Sequence, residues 1–124
     1  MANPNIVNVT SIYGENSLTA LSSTSATQLI SNAVGSGKVY KINAIVVANV
    51  DGAAATSVTI SIYDQAGIVG TAFPIVSTAS VPADGSLIVT DKSTSFYLKE
   101  NQSVGATAGT ANDLVVTASW DEIN

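Results

Sequence analysis

Cysteine, histidine and arginine are all missing from this 124-residue chain, and each absence removes a class of chemistry. Without cysteine there is no disulfide, no thiolate nucleophile and no soft metal ligand. Without histidine the usual base that activates a serine or thiol is gone, together with the commonest transition-metal ligand. Without arginine, and with Lys38, Lys41, Lys92 and Lys99 as the only cations against nine acidic residues, there is no basic cluster for phosphate. The net charge of −5 would repel nucleic acid, so neither DNA nor RNA is an expected partner. Nor is there a basic amphipathic face for an anionic membrane.

Charge of either sign is scarce. Only 10% of the residues are ionic, against roughly 25% in an ordinary soluble protein. The surface must therefore be built from Ser, Thr, Asn and Gly, which lose little when water is stripped from them and so suit broad protein contacts. Long apolar runs are missing too. The longest, Ile45-Val46-Val47-Ala48, is far too short to span a bilayer. The start, Met1-Ala2-Asn3-Pro4-Asn5, has neither the basic cluster nor the apolar stretch of a secretory signal, so synthesis and folding in a cytoplasm are expected.

What is present is alternation with period two. Val58, Ile60 and Ile62 share a face within Ser57 to Tyr63, and Leu114, Val116, Ala118 and Trp120 share one within Leu114 to Asp121. From Val39 to Val50, the residues Tyr40, Ile42, Ala44, Val46, Ala48 and Val50 fall on one face. Ile45 and Val47 make the middle of the opposite face apolar as well, so this strand is either central or meets a partner. Weaker strand segments are expected at Asn5–Tyr13, Leu18–Leu21, Gln28–Ile30, Phe73–Val76, Leu87–Thr90, Phe96–Leu98 and Gln102–Ala108. Turns are expected at Val50-Asp51-Gly52, Gln65-Ala66-Gly67, Pro82-Ala83-Asp84-Gly85 and Lys99-Glu100-Asn101. One or two helical turns could form over Ser25 to Ala33. The pattern predicts an all-β fold: one domain over residues 1–124, an antiparallel β-sandwich or jelly roll of about eight strands. Residues 1–12 form either an arm that docks on a neighbour or an ordinary edge strand.

The remaining chemistry is carboxylate, hydroxyl and lysine. Asp64, Asp84, Asp91, Asp113, Asp121 and Glu122 could in principle pair for glycoside hydrolysis, but their positions read as turn formers and solvated charges. A loop calcium site is conceivable, yet no D-x-[DN]-x-[DN]-G run occurs. Gly35-Ser36-Gly37-Lys38 lacks the first glycine of a phosphate loop and opens a strand. No catalytic residue, cofactor or metal site is therefore expected. Trp120 with Tyr13, Tyr40, Tyr63 and Tyr97 could stack on sugars, but Trp120 shares its face with Leu114, Val116 and Ala118 and reads as a core plug. Contact with partners is expected through Ile6, Val7, Val9, Ile12 and Tyr13 near the start, Ile45 and Val47 on the two-faced strand, and Tyr63 and Tyr97 as outward anchors.

Lys38-Val-Tyr-Lys-Ile-Asn-Ala-Ile-Val-Val-Ala-Asn-Val-Asp-Gly52 followed by Val58-Thr-Ile-Ser-Ile-Tyr63 is one quotable pattern. Val81-Pro-Ala-Asp-Gly85, Phe96-Tyr-Leu98, Glu100-Asn-Gln-Ser-Val104 and Leu114-Val-Val-Thr-Ala-Ser119 complete it. Together they resemble small structural proteins of tailed bacteriophages, cyanophages in particular, from Asn3 to Ile123. The resemblance implies a capsid decoration (cement) protein on the outer surface of the virion head, with a tail, neck or fibre component as the alternative. It implies a homotrimer or larger homo-oligomer, contact with the major capsid protein or other virion proteins, and assembly in the host bacterial cytoplasm. A carbohydrate-binding adhesin is the competing reading of another class.

Overall fold

A computed structural model describes residues 4–124. Among them, nine strands run in the order β1 (Ile12–Leu21), β2 (Thr27–Asn32), β3 (Val39–Asn49), β4 (Thr56–Gln65), β5 (Val69–Val81), β6 (Ser86–Thr90), β7 (Phe96–Leu98), β8 (Gln102–Ala108) and β9 (Leu114–Ile123). One sheet has the order β1-β9-β3-β6, with β7 also on β3, and the other has the order β2-β8-β4-β5. Every pairing is antiparallel. The chain thus crosses between sheets at almost every connection, which is the jelly-roll arrangement. β7 is the strand beyond the expected eight. It continues the edge that β6 begins, pairing Tyr40–Ile42 of β3 while β6 pairs Ile45–Ala48.

The alternating apolar faces make the core. Ile42, Ile45, Val47, Leu98, Leu114, Val116 and Ala118 from the first sheet meet Ile30, Val58, Ile60, Val81, Val104 and Ala106 from the second. All four predicted turns fall between strands. Two expectations are corrected. Ser25 to Ala33 is not helical but contains β2, where a bulge between Gln28 and Ile30 buries the consecutive Leu29 and Ile30 and so blurs the period-two pattern. Among the described residues the only helical piece is a single 3-10 turn, Lys92–Thr94, capped by Asp91. In β3, a bulge between Ile42 and Ala44 shifts the phase by one residue. Tyr40 and Ile42 face the core as expected, but beyond the bulge Ile45, Val47 and Asn49 do so, and Val46 and Ala48 turn outward.

Two buried asparagines fasten the sheets together, one near each end of β3. Asn32, at the end of β2, donates from Nδ2 to the carbonyls of Lys38 (2.9 Å) and Leu98 (3.2 Å), while its Oδ1 accepts from Ser36 Oγ (2.6 Å). Asn49, at the end of β3, donates to the carbonyls of Ala54 and Val81, both at 3.0 Å, and accepts from the Asp51 amide (2.9 Å). Each amide therefore ties a strand of one sheet to a strand of the other, and all its polar atoms are satisfied.

The outer face of the second sheet is covered by the β4–β5 turn. The amides of Ala66, Gly67 and Ile68 donate to Asn101 Oδ1 (3.0 Å), Ser31 Oγ (3.0 Å) and Ser103 Oγ (2.8 Å), and Ser103 Oγ donates to the Gln65 carbonyl (2.7 Å). Ile68 sits at φ 52°, a strained position for a β-branched residue, held by these bonds over Gly105. A Cβ on Gly105 would lie 2.9 Å from Ile68 Cγ2 and 3.0 Å from Tyr63 Cε1.

Two expected outcomes follow. Gly105→Ala should destabilise the fold by about 1–3 kcal/mol through overpacking, and the double variant with Ile68→Ala should lose less than the sum of the two single changes, as read by urea unfolding. Asn32→Ala or Asn49→Ala should each cost about 2–4 kcal/mol by leaving one buried and one part-buried carbonyl without a donor. Additive losses in the first case, or a change under about 0.5 kcal/mol in the second, would contradict these packing and bonding roles.

Candidate functional site

The residues expected to meet partners divide into three groups. Ile45 and Val47 are at 0% exposure, so they leave the candidate set: the bulge in β3 turns them into the core. Val9 and Tyr63 are half-buried, and Tyr63 is taken up by its contact beside Gly105. Ile6, Val7, Ile12, Tyr13 and Tyr97 are exposed, Val7 the most at 92%.

The first residues do not form the strand expected over Asn5–Tyr13. Pro4–Thr10 is a run of turns and bends, Ser11 bonds outside the assigned strand, and β1 begins at Ile12. The arm reading covers residues 1–12, of which 1–3 lie outside the described residues. From Pro4 onward the segment makes contacts with its own chain at two places. Pro4 and Ile6 line a cleft of about 320 Å3 with Val39, Tyr97 and Lys99, and Val39 is buried beside its equally buried pairing partner Ile123. The amides of Thr10 and Ser11 donate to the Asn124 carbonyl at 2.6 and 3.2 Å, and the Asn124 amide donates to the Ser11 carbonyl at 2.9 Å. Thr10 and Ser11 are thereby pinned beside Asn124.

No common platform for a sugar is assembled. Trp120 packs inward and stacks on Tyr40, ring centroids 6.0 Å apart at 24°. By register Tyr13 lies on that inner face, opposite Glu122, whereas Tyr97 opposes Lys41 on the outer face. Tyr63 belongs to the other sheet.

The same corner holds the single ion pair among the described residues, Lys38 Nζ to Glu122 Oε1. The Glu122 carboxylate, through its hydrogen bond and its charge, raises the Lys38 pKa above the ordinary lysine value. Burial, with Glu122 next, raises that of Tyr40. Both shifts keep the groups in the forms they hold at neutral pH. Three other carboxylates serve loops: Asp64 Oδ1 accepts the Thr71 amide (2.8 Å), Asp51 Oδ1 the Ala53 amide (3.0 Å) and Asp91 Oδ1 the Ser93 amide (3.0 Å). Hydrogen bonds from Ser93, ahead of those from Thr94, lower the Asp91 pKa. Among the described residues no three acidic groups come together as a cation site.

Sequence reasoning missed several surface-exposed side chains: Leu18 on β1, Val69, Phe73 and Ile75 on β5, and Ile88 on β6. β1 and β5 are edge strands, and β6 runs along the outer side of β3. The signal was there for β1, since Leu18 alternates with Asn16 and Ala20 on one face, but edge position cannot be read from a strand's own residues.

No family model matches the chain, and no curated protein sequence matches it significantly. Solved structures of similar fold do. A chain in the acidic stable capsid structure of Helicobacter pylori bacteriophage KHP30 superposes with a TM-score of 0.54 at 11% identity, over 94% of this chain and 90% of that one. A chain from the Bacillus endospore appendages, described as a novel family of disulfide-linked pili, gives 0.52 at 20% identity, over 92% and 88%. A chain in the cyanophage Pam1 capsid asymmetric unit gives 0.39 at 17% identity, over 99% and 91%. At such identities the first two likenesses establish a shared fold: the chain has the all-β sandwich architecture found in subunits of a phage capsid and of a pilus.

Proposed function

We propose that this chain is a non-enzymatic structural protein of a tailed-phage virion, bound as a decoration protein on the outer surface of the head, which it stabilises. The observation that carries the reading is the fold likeness to a chain of the KHP30 capsid structure across nearly the full length of both chains. The pilus chain shares the fold as well, but that assembly is described as disulfide-linked, and this sequence has no cysteine to make such a link. A net charge of −5 favours the outside of a head over the DNA-filled interior.

The mechanism is additive. Each copy offers a weakly charged surface with exposed apolar side chains, and many symmetry-related copies on one shell multiply modest contacts into a large total. The partners are further copies of the chain, in a trimer or larger ring, and the major capsid protein or other virion proteins. Assembly takes place in the host bacterial cytoplasm.

Quantitative mass spectrometry of purified virions, with gold-labelled antibody in electron microscopy, tests this. The expected result is label over the head and a copy number comparable with that of the major capsid protein. A small fixed number of copies at the neck or tail would replace decoration with the tail, neck or fibre alternative. Absence from virions would overturn the virion reading altogether.

A further inference from the structure

A sheet edge is a row of unpaired amides and carbonyls, and proteins that must not pair there interrupt it with proline, bulges, charges or shortness. Three of the four edges of this sandwich carry such interruptions. β5 contains Pro74, three register shifts against β4, and Thr78 at φ 51°. β2 spans only Thr27–Asn32 and is bulged between Gln28 and Ile30. The edge beyond β3 is broken into two short strands, β6 and β7, separated by the 3-10 turn.

β1 is different. Its pairing with β9 runs from Ile12↔Ile123 to Leu21↔Leu114 without a shift. It has no proline, and its one charged residue, Glu15, lies close enough to Lys38 to contribute to that lysine's raised pKa. Ile12, Tyr13 and Leu18 are exposed, Leu18 at 74%. Ser11 exchanges hydrogen bonds with Asn124, so in the alternating antiparallel ladder the odd-numbered residues of β1 bond β9. The amides and carbonyls of Ile12, Gly14, Asn16, Leu18 and Ala20 therefore point away from the sheet.

We propose that β1 is a self-association edge, occupied by β1 of a second copy running antiparallel about a two-fold axis at Asn16. A two-fold axis perpendicular to the sheet keeps inner faces together and matches residues of equal parity. With Asn16 opposite Asn16, Ile12 meets Ala20 and Gly14 meets Leu18, so all five outward-pointing residues find partners at once. Shifting the centre to Glu15 or Ser17 leaves some of them unpaired. The charges agree with a second copy as occupant: in this register Glu15 faces Ser17 and never another Glu15, so no like charges are opposed. The pairing would join the two β1-containing sheets into one continuous sheet. It rests on the self-association invoked above but supplies only a two-fold contact, since an isologous pairing closes a dimer and a ring of copies would need a further surface; binding to virions is measured separately.

The test uses the full chain. Size-exclusion chromatography with light scattering should show a dimer of about 25 kDa, twice the 12.5 kDa chain, or an even-numbered multiple. Asn16→Pro removes only an amide that faces outward, so the fold should survive by circular dichroism while dimerisation weakens about 10–100-fold for the two donors lost. Asn16→Cys, in a chain with no other cysteine, should form a disulfide-linked dimer on mild oxidation, since paired Cα atoms there are about 5.5 Å apart. Leu18→Cys should stay unlinked, its copies being about 13 Å apart along the strand. If Asn16→Pro fails to fold, the two cysteine variants still decide. A monomer at all concentrations, an odd-numbered assembly alone, an oligomer indifferent to Asn16→Pro, or linkage through Leu18 and not Asn16 would overturn the proposal. A monomer that still appears on virion heads would defeat the edge pairing and leave the virion reading standing.

Discussion

The sandwich depends on two buried side-chain amides that join its sheets near the two ends of β3. Hydrophobic contact between the layers is non-directional, so it can hold the sheets together without fixing how strands of one end against strands of the other. Asn32 and Asn49 supply that direction. Each places two donors on carbonyls of chain segments far apart in sequence, Leu98 for one and Val81 for the other, in a setting without water to compete. With both ends of β3 fixed, the strand carries β9 on one side and β6 and β7 on the other, and the rest of the first sheet follows from it.

Irregularities in this fold have positional consequences. The bulge in β3 exchanges which residues are core and which are surface, so that Ile45 and Val47 fill the interior and Val46 and Ala48 look outward. The strained turn at Ile68 lies across Gly105 and closes the outer face of β8. On β5, Pro74, the repeated bulges and Thr78 break a long strand into short paired pieces. Of the four sheet edges, only the one formed by β1 keeps a regular ladder along its whole length, and a regular ladder with a free side is a surface on which another strand can form. The low charge of the chain acts in the same sense, because few ions must be desolvated when such a surface is covered.

A good part of this was legible in the sequence. Val58, Ile60 and Ile62, and Leu114, Val116, Ala118 and Trp120, announced their faces by alternation alone, and Asp51-Gly52, Ala66-Gly67, Asp84-Gly85 and Glu100-Asn101 marked turns that all exist. Leu18–Leu21 lies in β1, which also takes in Ile12 and Tyr13 from the end of the stretch expected over Asn5–Tyr13, whereas Asn5 to Ser11 is not strand. Asn5 to Thr10 has the apolar content of a strand, yet it runs through turns and bends, with Ile6 on the rim of a cleft shared with Val39 and Tyr97. The helical reading of Ser25 to Ala33 failed because a bulge at Leu29 puts two neighbouring residues inside, which breaks the period-two pattern.

Sequence by itself determined the class of the fold, through period-two alternation and turn chemistry at the breaks, and the lack of imidazole, thiol and guanidinium groups removed the chemistry that those groups carry. These are local properties, set by each residue's own chemistry and its immediate neighbours. Tertiary structure decided the phase of β3, the inter-sheet roles of Asn32 and Asn49, and which of the nine strands stands at an open edge. Those depend on residues distant in the chain, because a bulge, a buried amide bond or a missing neighbour is a relation between strands that no single strand encodes.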